Sequence, residues 1–245
     1  MIFRTSPHRL NEYGQPIGSA LPDWAARPRP TRVTLKGRYC TVEPLDATRH
    51  AAALFAANNA DSGSMWTYLS YGPFVDLASY TAWVARVSQG DDPLFFAIVD
   101  APSQTALGVA SLMRIDPANG AIEVGHLAYS PRLQRTPAAT EAMFLLMQYA
   151  FELGYRRYEW KCDTLNAPSR AAAQRLGFSF EGVFRQAVIY KERSRDTAWH
   201  SIIDAEWPAL RAAFTQWLAP SNFDAAGRQL TRLSDLTAQI RSDRA

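Results

Sequence analysis

The stretch WKCDTLNAPSRAAAQRLGFSFEGVFR, residues 160–185, decides the fold. An alternating, strand-like run ends near Thr164, and a short helix is predicted to follow. Asn166 is a favoured helix cap and Pro168 a favoured first-turn residue. Gly177 predicts the end of that helix, and a new strand-like run follows. Ser169 also lies at this helix start, where a serine has no capping duty of its own.

The sequence around this stretch supplies the remaining elements of a sheet. Upstream, two strands and a third at 121–131 are joined by short polar turns, and residues 138–153 form the clearest amphipathic helix. A strand at 156–164 follows that helix. Downstream, two strands are predicted to pair across the turn ERSRD. This order predicts an α+β fold with a mostly antiparallel sheet and one parallel crossover.

The two ends of the chain differ from its middle. Residues 1–30 hold five prolines, so they predict an extended arm on the surface or on a partner subunit. Residues 31–205 form the main domain, and residues 206–245 are predicted to add C-terminal helices packed on the same domain. The arm and these aromatic helices could support a homodimer.

Composition excludes several classes of protein. The chain has 245 residues, 47% of them apolar and 20% charged, which fits a globular core and an ordinary surface. A net charge of +3 without a run of like charges argues against nucleic acid. No 18-residue apolar run or signal sequence is seen, so we expect a cytoplasmic protein that does not enter a membrane. Cys40 and Cys162 lack metal-binding spacing, so we expect no metal site.

A second helix start lies at residues 129–143, where a strand ends and a helix begins near Pro137. Free N–H groups at a helix N-terminus bind phosphate, and Arg135 could pair with an outer phosphate. An ordinary capped helix explains the same pattern. If the two preceding strands are parallel neighbours, both helix starts open at one sheet edge and one ligand could span them. The predicted free N–H groups belong to Thr136, Ala138, Ala139 and Thr140.

The loop at 61–74 is rich in aromatic residues and glycine but has no regular periodicity. Trp66, Tyr68 and Tyr71 are expected to anchor the loop in the core. The alternative is that they line a substrate mouth, since loops on a rigid scaffold often carry binding groups.

Residues 121–191 resemble the GCN5-related N-acetyltransferases, in particular the branch of ribosomal-protein alanine and serine acetyltransferases. The motif NAPSRAAAQRLGFSFEGVFR is similar to that branch's Asn-x-x-Ser…Leu-Gly-Phe…Glu-Gly signature. Gln134 and Ala139 match the family's pyrophosphate loop, Gln/Arg-x-x-Gly-x-Gly/Ala, while Pro137 replaces its central glycine. The resemblance implies a sheet splayed between the family's fourth and fifth strands, with helices on both faces.

The resemblance also implies acetyl-CoA as co-substrate. Asn166 would hold the pantetheine arm and Ser169 would approach the sulfur as the general acid. The backbone of the strand at 121–131 would bind the pantetheine amides and polarise the acetyl carbonyl. Because Pro137 lacks an N–H, Arg135 and the threonine hydroxyls would compensate at the pyrophosphate. The full implied binding set is Leu127, Ala128, Tyr129, Gln134, Arg135, Thr136, Ala138, Ala139, Thr140 and Asn166.

The candidate base is Glu123, acting directly or through water. Strict alternation sets Glu123 on the same strand face as Leu127 and His126 on the other face, unless the strand bulges. His126 is therefore the second candidate for the general base. Some relatives carry a carboxylate near position 188, where this chain has Val188.

These features predict an N-acetyltransferase that moves acetyl directly to a primary amine in a ternary complex. The acceptor could be a protein N-terminus, an amino acid or a small amine. The alternative is a CoA-binding module without turnover.

Overall fold

The computed structural model describes residues 9–242, with side chains described as far as Ile240. Its centre is an eight-stranded sheet of order β3-β4-β5-β6-β7-β8-β10-β9. Strands β1 and β2, of two residues each, form a separate antiparallel pair. Among the described strands, β7 and β8 are the one parallel pair, with a helix as their crossover connection, and the expected α+β architecture is confirmed. The strands are β1 (Arg9–Leu10), β2 (Pro16–Ile17), β3 (Leu35–Lys36), β4 (Cys40–Pro44), β5 (Leu94–Asp100), β6 (Ala106–Asp116), β7 (Ala121–Tyr129), β8 (Arg157–Asp163), β9 (Ser179–Tyr190) and β10 (Arg193–Ile203).

Helices cover both faces of the sheet, and central strands are therefore apolar on both sides. In β5, Phe96 and Ile98 join one core with α3, α4 and α5, while Phe95 and Ala97 join the other core with α1 and α2. Among residues 9–242, none of the helices is long and apolar enough to cross a membrane. The helices are α1 (Ala47–Asn58), α2 (Leu77–Val87), α3 (Pro137–Glu152), α4 (Ala167–Arg175), α5 (Trp207–Leu218) and α6 (Leu233–Ser242).

The N-terminal segment lies on the surface of its own chain. The Trp24 indole donates to the Ala118 carbonyl at 2.7 Å, and the Thr31 N–H donates to the Tyr149 hydroxyl of α3 at 2.9 Å. These contacts lead the chain from the β6–β7 turn towards the sheet. Residues 1–8 of the predicted arm lie outside the described part of the chain.

Two predicted boundaries are wrong. The run AAGRQLTRLSDLTAQI from residue 225 is helix-like in sequence, but its helix begins only at Leu233, because Asp224 accepts from the N–H groups of Ala226 and Arg228 and holds a turn there. The terminal hairpin does not turn across ERSRD. Its two-residue turn is Lys191–Glu192, both at positive φ, and β10 already begins at Arg193.

One carboxylate of α3 fixes the β3–β4 turn. Glu141 is buried, and it accepts hydrogen bonds from the N–H groups of Arg38 (2.8 Å), Tyr39 (2.6 Å) and Cys40 (2.9 Å). A side chain at Gly37 would meet this carboxylate at 2.3 Å, so glycine permits the close approach. The edge of the sheet is therefore tied to the helix that follows β7.

Replacing Glu141 with Ala should lower the free energy of unfolding by roughly 3 kcal/mol or more, because three buried donors lose a charged acceptor. Urea unfolding would measure this change. Glu152→Ala, an exposed position on the same helix, is the matched control and should cost less than about 1 kcal/mol. Equal stability of the two variants would show that the Glu141 contacts do not hold the turn.

Candidate functional site

The central feature of the site is that β7 and β8 separate along their length. They pair in parallel from Ala121↔Arg157 to Val124↔Trp160, and the ladder then stops. Each strand continues beyond that point without a ladder bond to the other. The sheet is therefore open between them, as expected from the sequence.

A bulge in β7 accompanies the separation. Ser111 of β6 pairs with Gly125, while Val109 pairs with Ala128, so β7 holds one extra residue there. His126 has φ 51°, in the left-handed region. The strict alternation assumed above therefore fails. His126 comes to the strand face of Glu123, where it packs on Tyr71 and Phe95, while Leu127 packs against the core on the other face.

These residues line a cleft of about 510 Å³ between the separated strands. One wall is β7 and the other is β8 with the first turn of α4. The hairpin of β9 and β10 and the loop at 65–70 close its far end. Of the predicted site residues, the cleft contains Glu123, Leu127, Asn166 and Ser169, together with His126.

The Ser169 hydroxyl is oriented by an indole. Trp160 Nε1 donates to Ser169 Oγ at 3.0 Å. An indole N–H can only donate, so Ser169 must accept and its own proton remains available to another acceptor. Burial raises the pKa of the neighbouring Cys162 thiol, although its hydrogen bond with Ser169 acts the other way. The raised pKa favours the neutral thiol of Cys162 at pH 7, a form that is a poor nucleophile.

Asn166 performs the capping role that its position suggested. Its Oδ1 accepts from the Ser169 N–H at 3.1 Å, which satisfies one free donor of α4. The carboxamide nitrogen is not needed for this bond. A side chain that caps with its oxygen can still offer its NH₂ group to a ligand in the cleft.

Glu123 is a buried carboxylate with a cationic partner. Lys161 Nζ lies 2.8 Å from Glu123 Oε2 and 2.7 Å from Glu159 Oε2. Burial raises the pKa of Glu123, while Lys161 and Arg114 oppose that rise. The Glu123 carboxyl is thus a better proton acceptor than an exposed glutamate, provided that Lys161 keeps it ionised.

His126 is the second candidate base in the cleft. Its ring stacks on Tyr71 at 5.6 Å and packs against Phe95 at 4.8 Å, centroid to centroid. Burial, and then the charge of Arg114, lower the pKa of His126 below its usual 6.5. The imidazole is therefore neutral at pH 7 and able to accept a proton.

The start of α3 differs from the expectation of four free N–H groups. The Thr136 N–H donates to Leu133 O at 3.3 Å, Ala139 N–H to Thr136 Oγ1 at 3.1 Å, and Thr140 N–H to Thr136 O at 3.4 Å. Thr136 is thus an ordinary cap. Ala138 is the one member of the four whose N–H has no acceptor within residues 9–242.

Three of the four side chains at this helix start are buried. Ala138, Ala139 and Thr140 are buried, because the first turn of α3 packs into the core. The Thr140 hydroxyl accepts from the Arg175 guanidinium at 3.1 Å, so the last residue of α4 contacts the first turn of α3. Because α3 and α4 follow the parallel neighbours β7 and β8, their starts lie towards one edge of the sheet, and the end of α4 packs against the first turn of α3.

Arg175 is the residue here that sequence reasoning missed. Burial lowers the pKa of Arg175, and no carboxylate lies within 4 Å of it in the described part of the chain. A partly buried guanidinium without a counter-ion favours an anionic ligand. The signal available in the sequence was its place nine residues after Asn166, on the helix already assigned to the ligand.

Two other predicted residues bind each other. The Gln134 side chain donates to the Tyr129 carbonyl at 2.8 Å, so this pair braces the end of β7. Arg135 is exposed, and its backbone has φ 61°, in the left-handed region. Its guanidinium can therefore reach solvent or an outer phosphate.

The loop at 61–74 closes the far end of the cleft. Lys191 Nζ donates to Trp66 O at 2.8 Å and Arg193 to Thr67 O at 2.7 Å, which ties the hairpin tip to the loop. Tyr68 reaches Leu165 O at 3.0 Å and lines the cleft. Trp66 is buried, and Tyr71 packs on Trp83 and His126, so these two residues anchor the loop in the core as expected. Within residues 9–242, no cluster of His, Cys, Asp or Glu is arranged to hold a metal ion.

Comparison with known proteins agrees with this geometry. Residues 40–179 match the family model described as an acetyltransferase (GNAT) domain. No curated protein matches the chain. Among solved structures, a GCN5-related N-acetyltransferase from Brucella melitensis is 50% identical with a TM-score of 0.87, over 89% of this chain and 100% of that one.

Two further structures are similar. A GNAT-family protein from Chromobacterium violaceum is 44% identical with a TM-score of 0.74, over 80% of this chain and 98% of its own. The microcin C7 self-immunity acetyltransferase, solved with acetyl-CoA and AMP, shares the fold at 24% identity. Its TM-score is 0.60, over 68% of this chain and 93% of its own. The chain therefore belongs to the GNAT family of acetyltransferases.

Proposed function

We propose that this chain transfers an acetyl group from acetyl-CoA directly to a primary amine. The observation that carries the proposal is the cleft opened by the separation of β7 and β8, with Ser169 and Glu123 both on its lining. When bound, acetyl-CoA supplies the thioester acetyl group. The protein supplies a path for the carrier, a polarising backbone, an acid and a base.

Helix α4 accounts for the length of the carrier site. Its first turn lies at the cleft, and its last residue, Arg175, contacts the first turn of α3. A nine-residue helix spans roughly 13 Å, a suitable length for part of a pantetheine arm. Asn166 would hold the arm through its amide nitrogen. Arg175 and Arg135, with the Ala138 N–H, would face the pyrophosphate in place of the N–H that Pro137 lacks.

The other assigned contacts complete this binding set. The backbone of Leu127 and Ala128 lies on the bulged part of β7, where it would bind the pantetheine amides and polarise the acetyl carbonyl. One such donor is typically worth about 3 kcal/mol in a transition state. Tyr129 and Gln134 would shape the end of this strand. Thr136 and Ala139 would form the helix cap beside the pyrophosphate, and Thr140 would act through Arg175.

Proton transfer follows from the same lining. Ser169 has its hydroxyl oxygen engaged by Trp160, so its proton can be donated to a departing thiolate. Glu123, held ionised by Lys161, would take a proton from the amine directly or through water. Neutral His126 would serve this role if the amine enters from the side of the 61–74 loop.

The alternative is a CoA-binding module without turnover. The substitution of Pro137 in the phosphate loop and the apolar Val188 in the cleft favour it. A thiol-release assay with a panel of primary amines separates the two. Acceptor-dependent release supports the transferase, and acetyl-CoA binding without release under any amine supports the module.

Replacing Ser169 with Ala should lower kcat by about 10²-fold and leave the Kd for acetyl-CoA within about twofold, because only the acid is removed. Thiol-release kinetics and calorimetric binding provide the two numbers. Ser194→Ala, an exposed serine on β10, is the control. A normal kcat in Ser169→Ala would remove this hydroxyl from catalysis.

Asn166→Asp keeps the oxygen that caps α4 but loses the amide donor, so acetyl-CoA should bind about tenfold more weakly without loss of thermal stability. Arg175→Gln should weaken binding of acetyl-CoA more than binding of a pantetheine fragment that lacks the pyrophosphate. Unchanged affinities in both variants would place the carrier elsewhere.

If Glu123 is the base, activity requires its ionised form, and activity should fall as pH drops through its raised pKa. Glu123→Gln should abolish this acid-side fall and reduce kcat, whereas His126→Asn should retain the fall. Profiles of kcat against pH measure it. A Glu123→Gln profile that superimposes on the wild-type profile would point to a water molecule, and loss of the fall in His126→Asn would point to the imidazole.

A further inference from the structure

We infer that the acceptor is a free α-amino acid with an apolar side chain, whose carboxylate is bound by Arg195. This inference rests on the proposed function and selects one of the three acceptor classes that the sequence left open. It depends on the charges and on the apolar surface at the closed end of the cleft.

Arg195 is a cationic side chain of the cleft that has no carboxylate partner among the described residues. It is half-buried, and its Nε donates to Thr197 Oγ1 at 3.1 Å. That single bond leaves the two terminal nitrogens of the fork. Within the described residues, no carboxylate lies within 4 Å of the guanidinium. A guanidinium in this state matches the planar, bidentate geometry of a carboxylate.

The remaining charges of the cleft already have partners. Lys161 forms ion pairs with both Glu123 and Glu159, and Arg114 Nη1 lies 3.6 Å from Glu123 Oε2. The oxygens of Asp163 accept from the Tyr190 hydroxyl at 2.9 Å and the Leu165 N–H at 2.9 Å. Glu123 and Asp163 therefore do not neutralise Arg195 by direct contact. A substrate anion is the group that would complete the site.

Arg195 also lies near the reacting end of the carrier. Arg195 and Ser169 line the same cleft, and Thr197, which accepts from Arg195, pairs across the sheet with Asp163, next to Cys162. An anion bound by Arg195 would thus be held near Ser169. An amine on the carbon next to a carboxylate fits this closeness, whereas an amine far from its anion would not.

The wall of the cleft beside Arg195 carries several apolar side chains. Phe184 stacks on Trp199 with centroids 4.5 Å apart, and the Lys161 ammonium lies 3.7 Å from the centroid of the same indole. Val188 and Leu69 add to this surface. An apolar side chain on the acceptor would bury itself here.

A protein N-terminus fits these observations less well. In a protein N-terminus, the carbon that carries the amine is followed by a neutral peptide bond. Arg195 would therefore face a peptide carbonyl instead of a carboxylate. The hairpin tip is also tied to the loop at Trp66 O and Thr67 O, which narrows the far end of the cleft. A small acceptor suits this enclosure.

The test compares acceptors that share one ring and one amine. These are L-phenylalanine, L-phenylalaninamide, phenethylamine and a phenylalanyl tripeptide amide, assayed by acetyl-CoA-dependent thiol release. With the wild-type protein, kcat/KM for the amino acid should exceed that for its amide by at least about tenfold. In Arg195→Gln this preference should shrink to within about twofold, through a higher KM for the acid.

Arg185→Gln makes the same change at an exposed position of β9 outside the cleft and should keep the wild-type preference. Binding of acetyl-CoA to Arg195→Gln, unchanged in Kd, confirms that the variant is folded. If that variant does not fold, the wild-type comparison of acid and amide still decides.

Three results would overturn the inference. The wild-type protein could prefer the amide or the tripeptide, Arg195→Gln could retain the preference for the acid, or none of the four acceptors could be used. In the first two cases thiol release still occurs, so the proposed function stands while the acceptor class is wrong. If acetyl-CoA does not bind, or if no primary amine of a wide panel is used, the proposed function itself has failed.

Discussion

The structure depends on a parallel strand pair that stops early. β7 and β8 share four residue pairs, and beyond Val124 and Trp160 their backbones are left for another partner. Buried backbone groups need such partners, so an opening in the middle of a sheet is costly unless something fills it. The bulge at His126 lies where the two strands part, directly after the last residue pair of their ladder and Gly125.

The elements around this opening divide the chemistry between its two ends. α4 begins beside Ser169 and ends at Arg175 against the first turn of α3, so it follows the predicted path of the carrier. The β9–β10 hairpin and the 61–74 loop form the opposite, acceptor end. The two reactants would therefore enter from different sides and meet between Glu123 and Ser169. Such an arrangement requires no covalent enzyme intermediate, which agrees with the neutral, buried thiol of Cys162.

Much of this architecture was accessible from the sequence because its signals are local. The cap and first turn at Asn166 and the amphipathic pattern of α3 predicted the crossover, and with it the shared sheet edge. The bulge at His126 was not predictable, since strand alternation carries no sign of one extra residue. The two-residue hairpin turn escaped for a similar reason: Lys191–Glu192 takes positive φ angles without the usual Asn or Gly. The ion pairs of Lys161, and the lack of a carboxylate partner at Arg175 and Arg195 among the described residues, depend on tertiary neighbours. A local sequence pattern does not contain that information.

The most direct test of the account is a crystal structure of the protein with CoA bound. The account predicts that the pantetheine arm lies between β7 and β8 along α4. Its sulfur should lie within hydrogen-bond reach of Ser169 Oγ, and its pyrophosphate at the first turn of α3 near Arg175. An arm bound outside this opening, or a sulfur on the far side of the sheet from Ser169, would contradict it.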